Sequence, residues 1–112
     1  MTWNEAIENY ANYLRFEKNA SENTIEAYVS DLQKLQNFAE QNLASVTPIT
    51  ISYEHLQEFL YQVSKINYSE RTQARWISSI KGFFSFLLED ELREDNPSAL
   101  LETPKLGLYL PD

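Results

Sequence analysis

An all-α fold, a compact bundle of four main helices plus a short C-terminal helix, is predicted by three features of this 112-residue sequence. Apolar residues recur at three- and four-residue spacing in four separate stretches, the pattern of helices that bury one side. Alternation of apolar and polar residues, the mark of half-buried strands, is scarce. Only two glycines occur, both late in the chain. With 43% apolar and 23% charged residues the chain reads as globular and not as disordered. It is also longer than the roughly 70 to 80 residues below which a core usually needs staples, which fits one domain.

Each element has its own justification. Trp3, Ile7, Tyr10, Ala11 and Leu14 place a first helix over residues 3–17. A second follows Ser21 as N-cap and carries Ile25, Tyr28, Val29, Leu32, Leu35 and Phe38 on one side. After Thr47-Pro48, Ser52 can cap a third, with Leu56, Phe59, Leu60 and Val63 inward. A fourth follows Ser69 and buries Ile77, Ile80, Phe84, Leu87 and Leu88. Trp76 and Phe83 widen its apolar surface, so this helix is expected at the centre, covered on two sides. The acidic turn from Glu89 to Asp95 ends it, and Asn96-Pro97 reads as a cap and first-turn proline opening the short fifth helix through Leu101. Residues 1–102 are thus expected to form the helical domain. Residues 103–112, which lack helical period, are expected to begin a linker to a further domain, with an ordinary terminal tail as the alternative.

The absence of cysteine excludes disulfide, thiolate and zinc-finger chemistry. There is no glycine-rich phosphate loop, and the acidic turn lacks the Asp/Asn ladder and central glycine of a calcium loop. No cofactor, metal or small-molecule substrate is expected. No apolar run exceeds three residues and the start lacks a basic export signal, so the expected location is cytoplasmic, with no membrane partner.

Charge is segregated within a net total of −8. Residues 65–81 hold Lys65, Arg71, Arg75 and Lys81 against Glu70, a local charge of +3, whereas the stretch before sums to −6 and the stretch after to −5. That basic stretch also contains one of two echoing helix openings, Ser21-Glu22-Asn23-Thr24 and Ser69-Glu70-Arg71-Thr72. In each, the serine can accept from an exposed backbone N–H and the glutamate suits the positive end of the helix dipole. Neither is a capping box, because the fourth residue is threonine. Asn23, Thr24 and Thr72 therefore sit by unpaired N–H groups at a helix start, a geometry suited to a phosphate oxygen, although an ordinary helix beginning has the same sequence.

Arg71, Arg75, Ser78, Gly82 and Ser85 then fall on one side of the fourth helix, with Ser79 and Lys81 beside them. The guanidiniums can fork onto phosphates or guanine edges, and the small residues permit close approach of a nucleic-acid backbone. Gly82 costs about 1 kcal/mol relative to alanine in a helix interior, so it needs a reason, either that approach or a tight helix crossing. On the second helix Thr24, Ala27, Asp31 and Lys34 form a comparable line bordered by Tyr28, which is a core residue or a contact. Asp31 would repel phosphate unless it pairs with a neighbouring base.

The run from Glu17 to Tyr28, followed by Asp31-Leu32, resembles the start of the Xer-type tyrosine recombinases. So do Ala74-Arg75 with Ser78, Phe84 and Leu87, and the segment from Arg93 to Ala99 leading to Pro104-Lys105-Leu106 and Leu110-Pro111. The resemblance implies a SAM-like core-binding domain that clamps one side of a double-stranded DNA recombination half-site, with its second and fourth helices in or across the major groove. It places Thr24 and Tyr28 on one DNA-facing helix and Arg75, Ser78 and Lys81 on the other. At Gly82 the sequence departs from relatives that commonly carry a second basic residue. The implied partners are other recombinase protomers in a tetrameric synapse, for chromosome dimer resolution or integration. The family's arginine pair, lysine, His-x-x-Arg motif and nucleophilic tyrosine have no counterpart here. His55 is followed by Leu56-Gln57-Glu58, is read as a surface residue, and none of the seven tyrosines has the right context. The chain alone is expected to cut nothing. The competing reading is an acidic helical protein-interaction module that uses Trp76, Phe83 or Tyr61 as an anchor and binds no DNA.

Overall fold

The computed structural model describes residues 1–66 and 68–102, which form four helices in chain order. These are α1 (Trp3–Phe16), α2 (Glu22–Asn42), α3 (Tyr53–Ser64) and α4 (Glu70–Glu89). The predicted linker lies outside the described residues. α1 opens with a capping box: the Thr2 hydroxyl accepts from the Glu5 amide at 3.1 Å, and the Thr2 amide donates to the Glu5 carboxylate at 2.9 Å. α3 uses a variant with histidine as the returning acceptor. The Ser52 amide donates to His55 Nδ1 at 3.0 Å while the His55 amide donates to Ser52 Oγ at 3.2 Å. His55 is therefore half-buried and part of a cap, not the free surface residue expected from sequence.

α4 is central, packing against α1, α2 and α3. Its Trp76, Ile77, Ile80, Phe83, Phe84, Phe86 and Leu87 are all buried. Each fully buried large apolar side chain contributes about 1.5–3 kcal/mol relative to exposure, so this one helix supplies much of the driving force for folding. Phe83 stacks on Trp3 at 6.4 Å and meets Tyr10 edge-on at 5.7 Å, joining α1 to α4. Phe59 lies between Phe38 and Trp76, at 5.4 Å and 6.3 Å, joining α3 to α2 and α4. Leu88, expected inside, is 39% exposed.

The α1/α4 crossing explains Gly82. A Cβ at this position would lie 2.5 Å from the Tyr10 hydroxyl, so the glycine is required by a helix contact inside the protein and not by an approaching nucleic-acid backbone. Tyr10 itself is nearly sealed, and burial first, then Tyr28 and Tyr13, hold its phenol above its ordinary pKa.

After α4 the chain turns through Glu91 at φ 61°, a left-handed conformation usually given to glycine, and the Leu92 amide returns to the Leu87 carbonyl at 2.9 Å. The predicted short fifth helix is a series of turns. Asn96 Oδ1 accepts from the Ser98 amide at 2.9 Å, and the backbone closes only three-residue steps, Ala99 to Asn96 and Leu101 to Ser98. The asparagine side chain competes with helical hydrogen bonding, and six residues are too few to overcome it. These turns are stapled to the loop before α3 by Arg93, whose Nη1 donates to the carbonyls of Pro48 at 3.0 Å and Ile51 at 2.8 Å. Its guanidinium also lies over the Phe84 ring, 5.5 Å from the centroid, and Leu101 is buried in the core.

Candidate nucleic-acid interface

The two echoing openings fold identically. In α2 the Ser21 hydroxyl accepts from the Thr24 amide at 3.1 Å and donates to Thr24 Oγ1 at 3.0 Å. In α4 the Ser69 hydroxyl accepts from the Thr72 amide at 3.1 Å and donates to Thr72 Oγ1 at 3.0 Å. The serine proton is thereby engaged, and the threonine keeps its own proton for an outside acceptor. Ser21, Asn23 and Thr24 are exposed; Thr72 is half-buried beside an exposed Arg71. The openings differ in their neighbours. Glu22 is held by Arg15 of α1 through bonds of 2.9 and 3.2 Å, which lower the glutamate's pKa and raise the arginine's, the hydrogen bond being the main cause in both. Glu70 and Arg71 make no ion pair among the described residues.

Between the openings, α2 and α4 are joined by a cluster of three polar side chains. Arg75 donates through Nε to Asp31 Oδ2 at 3.0 Å and through Nη2 to Oδ1 at 2.7 Å. The Ser79 hydroxyl, 3.0 Å from the Arg75 carbonyl, donates to Asp31 Oδ2 at 2.7 Å. The Asp31 side chain is 0% exposed and that of Arg75 is 48% exposed. The hydrogen bonds to Asp31 raise the Arg75 pKa against the opposing effect of burial, so the guanidinium is charged throughout the accessible range. A forked pair of this kind uses two of the five guanidinium N–H groups. Three remain for another acceptor.

Helical spacing extends this cluster along both helices. Thr24, Tyr28 and Lys34 lie within Asp31's stripe on α2, and Arg71 and Ser78 lie one turn to either side of Arg75 on α4. Thr24, Lys34, Arg71 and Ser78 are exposed; Tyr28 and Lys81 are half-buried. Lys34 borders a shallow depression that also includes Tyr68 and Trp76, the approach to the start of α4. It is ten residues from Thr24, about 15 Å at the helical rise, so the two openings stand well apart along the α2/α4 seam.

Three expectations need correction. Ser79 is fully buried, because it serves Asp31, and cannot touch a ligand directly. Gly82 and Ser85 leave the exposed stripe, the first facing Tyr10 and the second lying 3.4 Å from the Asn96 amide nitrogen. Arg75 is not an independent cation, since its charge is matched by a buried carboxylate. Two of the proposed protein-binding anchors are also unsuited to that role: Trp76 is 1% and Phe83 0% exposed, while Tyr61 remains open at 57%. Sequence reasoning missed the roles of Arg15 and Arg93. For Asp31 a signal was present, since the residue falls among Tyr28, Leu32 and Leu35 on the apolar side of α2, where a carboxylate requires a buried partner.

The family model described as phage integrase, N-terminal SAM-like domain, matches residues 7–91. The chain belongs to this family of helical recombinase domains. It is 38% identical over 109 residues to a protein named tyrosine recombinase XerD from Staphylococcus epidermidis, covering 97% of this chain and 37% of that one. It is 37% identical over 105 residues to tyrosine recombinase XerD of Vibrio cholerae, covering 94% and 34%, and 34% identical over 109 residues to tyrosine recombinase XerC of Natranaerobius thermophilus, covering 97% and 36%. The chain thus spans little more than a third of the length of the curated relatives it matches. No solved structure matches it. Among the described residues no helix is long and apolar enough to cross a membrane.

Proposed function

We propose that this chain is the DNA-gripping N-terminal domain of a site-specific tyrosine recombinase, and that the α2/α4 seam is the surface that meets the duplex. The observation that carries the reading is the seam itself, with Thr24 and Lys34 on one helix and Arg71, Arg75 and Ser78 on the other, all exposed. Two acidic groups beside it are engaged, Asp31 by Arg75 and Glu22 by Arg15, while Glu70 next to Arg71 makes no ion pair among the described residues. This partial neutralisation bears on the objection raised by the net charge of −8, which disfavours long-range steering more than short-range contact. In the whole protein the domain would hold register on a half-site while a catalytic domain exchanges strands through a covalent phosphotyrosine, with four protomers on two sites. Chromosome dimer resolution is the favoured setting because the relatives carry Xer names, with integration of mobile DNA as the other. The cytoplasm is the corresponding location. Of the three anchors named for a protein-interaction module without DNA binding, Trp76 and Phe83 are buried and Tyr61 is open, and this is the weaker reading.

The test is titration of the chain with half-site duplexes at several salt concentrations. Arg71→Ala is expected to weaken binding and to reduce the slope of log K against log salt by about one, the signature of one lost phosphate contact. Absence of salt-dependent duplex binding by the unmodified chain at low ionic strength would overturn the reading.

A further inference from the structure

We infer that Asp31 is a positioning residue for nucleic-acid binding: a buried negative charge that strengthens the grip on a polyanion by fixing Arg75 in the orientation that presents its remaining N–H groups outward. The inference rests on the functional reading above. It is argued from the cluster of Asp31, Arg75 and Ser79, in which every Asp31 contact comes from α4 and the aspartate side chain is 0% exposed. An arginine on a helix surface ordinarily samples many rotamers, and immobilising it on binding has an entropic cost. Here Nε and Nη2 are fixed at 3.0 and 2.7 Å before any ligand arrives, so that cost is met by the fold. The planar fork also fixes the direction of Nη1, which makes no hydrogen bond within the described residues. Ser79 completes the device by holding Asp31 Oδ2 from the buried side at 2.7 Å, which keeps the carboxylate from rotating. The expected ligand group is a phosphate oxygen of the duplex backbone.

The inference makes a prediction with an unusual sign. Simple electrostatics says that neutralising an acidic residue on a protein of net charge −8 should tighten binding to DNA. Positioning says the reverse. Asp31→Asn, which preserves shape, is expected to bind half-site duplex about tenfold more weakly than the unmodified chain, as if Arg75 were absent. In the Asp31→Asn background, adding Arg75→Ala should change affinity by less than about twofold, since a released arginine contributes little. Ser79→Ala, which leaves the ion pair in place, is a milder second probe with an expected loss of about threefold. Circular dichroism of each variant establishes that it is folded. If the unmodified chain binds and Asp31→Asn binds equally or more tightly while folded, the inference fails and the functional reading stands. If Asp31→Asn does not fold, Ser79→Ala decides on the same terms. If the unmodified chain does not bind duplex at all, both fail.

Discussion

Arg75 and Arg93 are each paired with an aspartate, yet their burial is reversed. In the α2/α4 pair the carboxylate is sealed at 0% exposure and the arginine is open at 48%. In the C-terminal staple the arginine is sealed at 6% and the carboxylate, Asp95, is open at 71%. Burial marks which member of each pair is structural. Arg93 directs Nη1 to the carbonyls of Pro48 and Ile51 through buried bonds, and Asp95 tops the guanidinium. Asp31 plays the corresponding interior role on the other side, and Arg75 is the member left facing outward. A buried charge with its partner at the surface leaves that partner able to act on something else.

Truncating each side chain in turn tests this contrast. The largest loss of stability is expected for Arg93→Ala, about 3 kcal/mol by chemical denaturation, because two buried carbonyls lose their donor and Phe84 loses its cover. Arg75→Ala should cost less, about 2 kcal/mol, since it strands the Asp31 charge but opens a path for water to reach it. A result in which Arg75→Ala exceeds Arg93→Ala would mean that the stranded carboxylate stays dry and that Arg75 is the more structural of the two. Asp95→Ala should change stability by less than about 0.5 kcal/mol, as exposed ion pairs do. A loss several times larger there would show that the exposed carboxylate orients Arg93 and that the asymmetry is only apparent.

Most of the fold was legible because four strongly periodic segments dominate the chain. The serine caps at Ser21, Ser52 and Ser69 all form, and the central place of α4 follows from Trp76 and Phe83 broadening its apolar side. The segment at Asn96 misled because a cap and a proline announce a helix equally well when the chain goes on only to make turns. Asn96 satisfies Ser98 locally, and Arg93 pulls the segment onto the loop at Pro48 and Ile51, a long-range contact with no periodic signature. At the candidate interface, Arg71, Ser78 and Thr24 lie on the surface as their spacing predicts. Ser79, adjacent to Ser78, does not, because one step of 100° on a helix separates solvent from core. The identity of its partner could not be read from α4 alone. It depended on recognising Asp31 as an interior carboxylate on a different helix.

The sealing of Trp76 has a practical consequence. Its indole lies against Phe59 and in edge contact with Tyr68 at 4.6 Å, and the other tryptophan, Trp3, is stacked on Phe83 and tied to the Val46 carbonyl. Both fluorophores therefore report from dry surroundings, with Trp76 one residue along the chain from Arg75. Intrinsic emission from this molecule should shift toward the red when the bundle opens and stay nearly constant when its outer surface is occupied. The emission then reports folding alone, so a loss of grip measured beside it can be told from a loss of folding for every substitution along the seam.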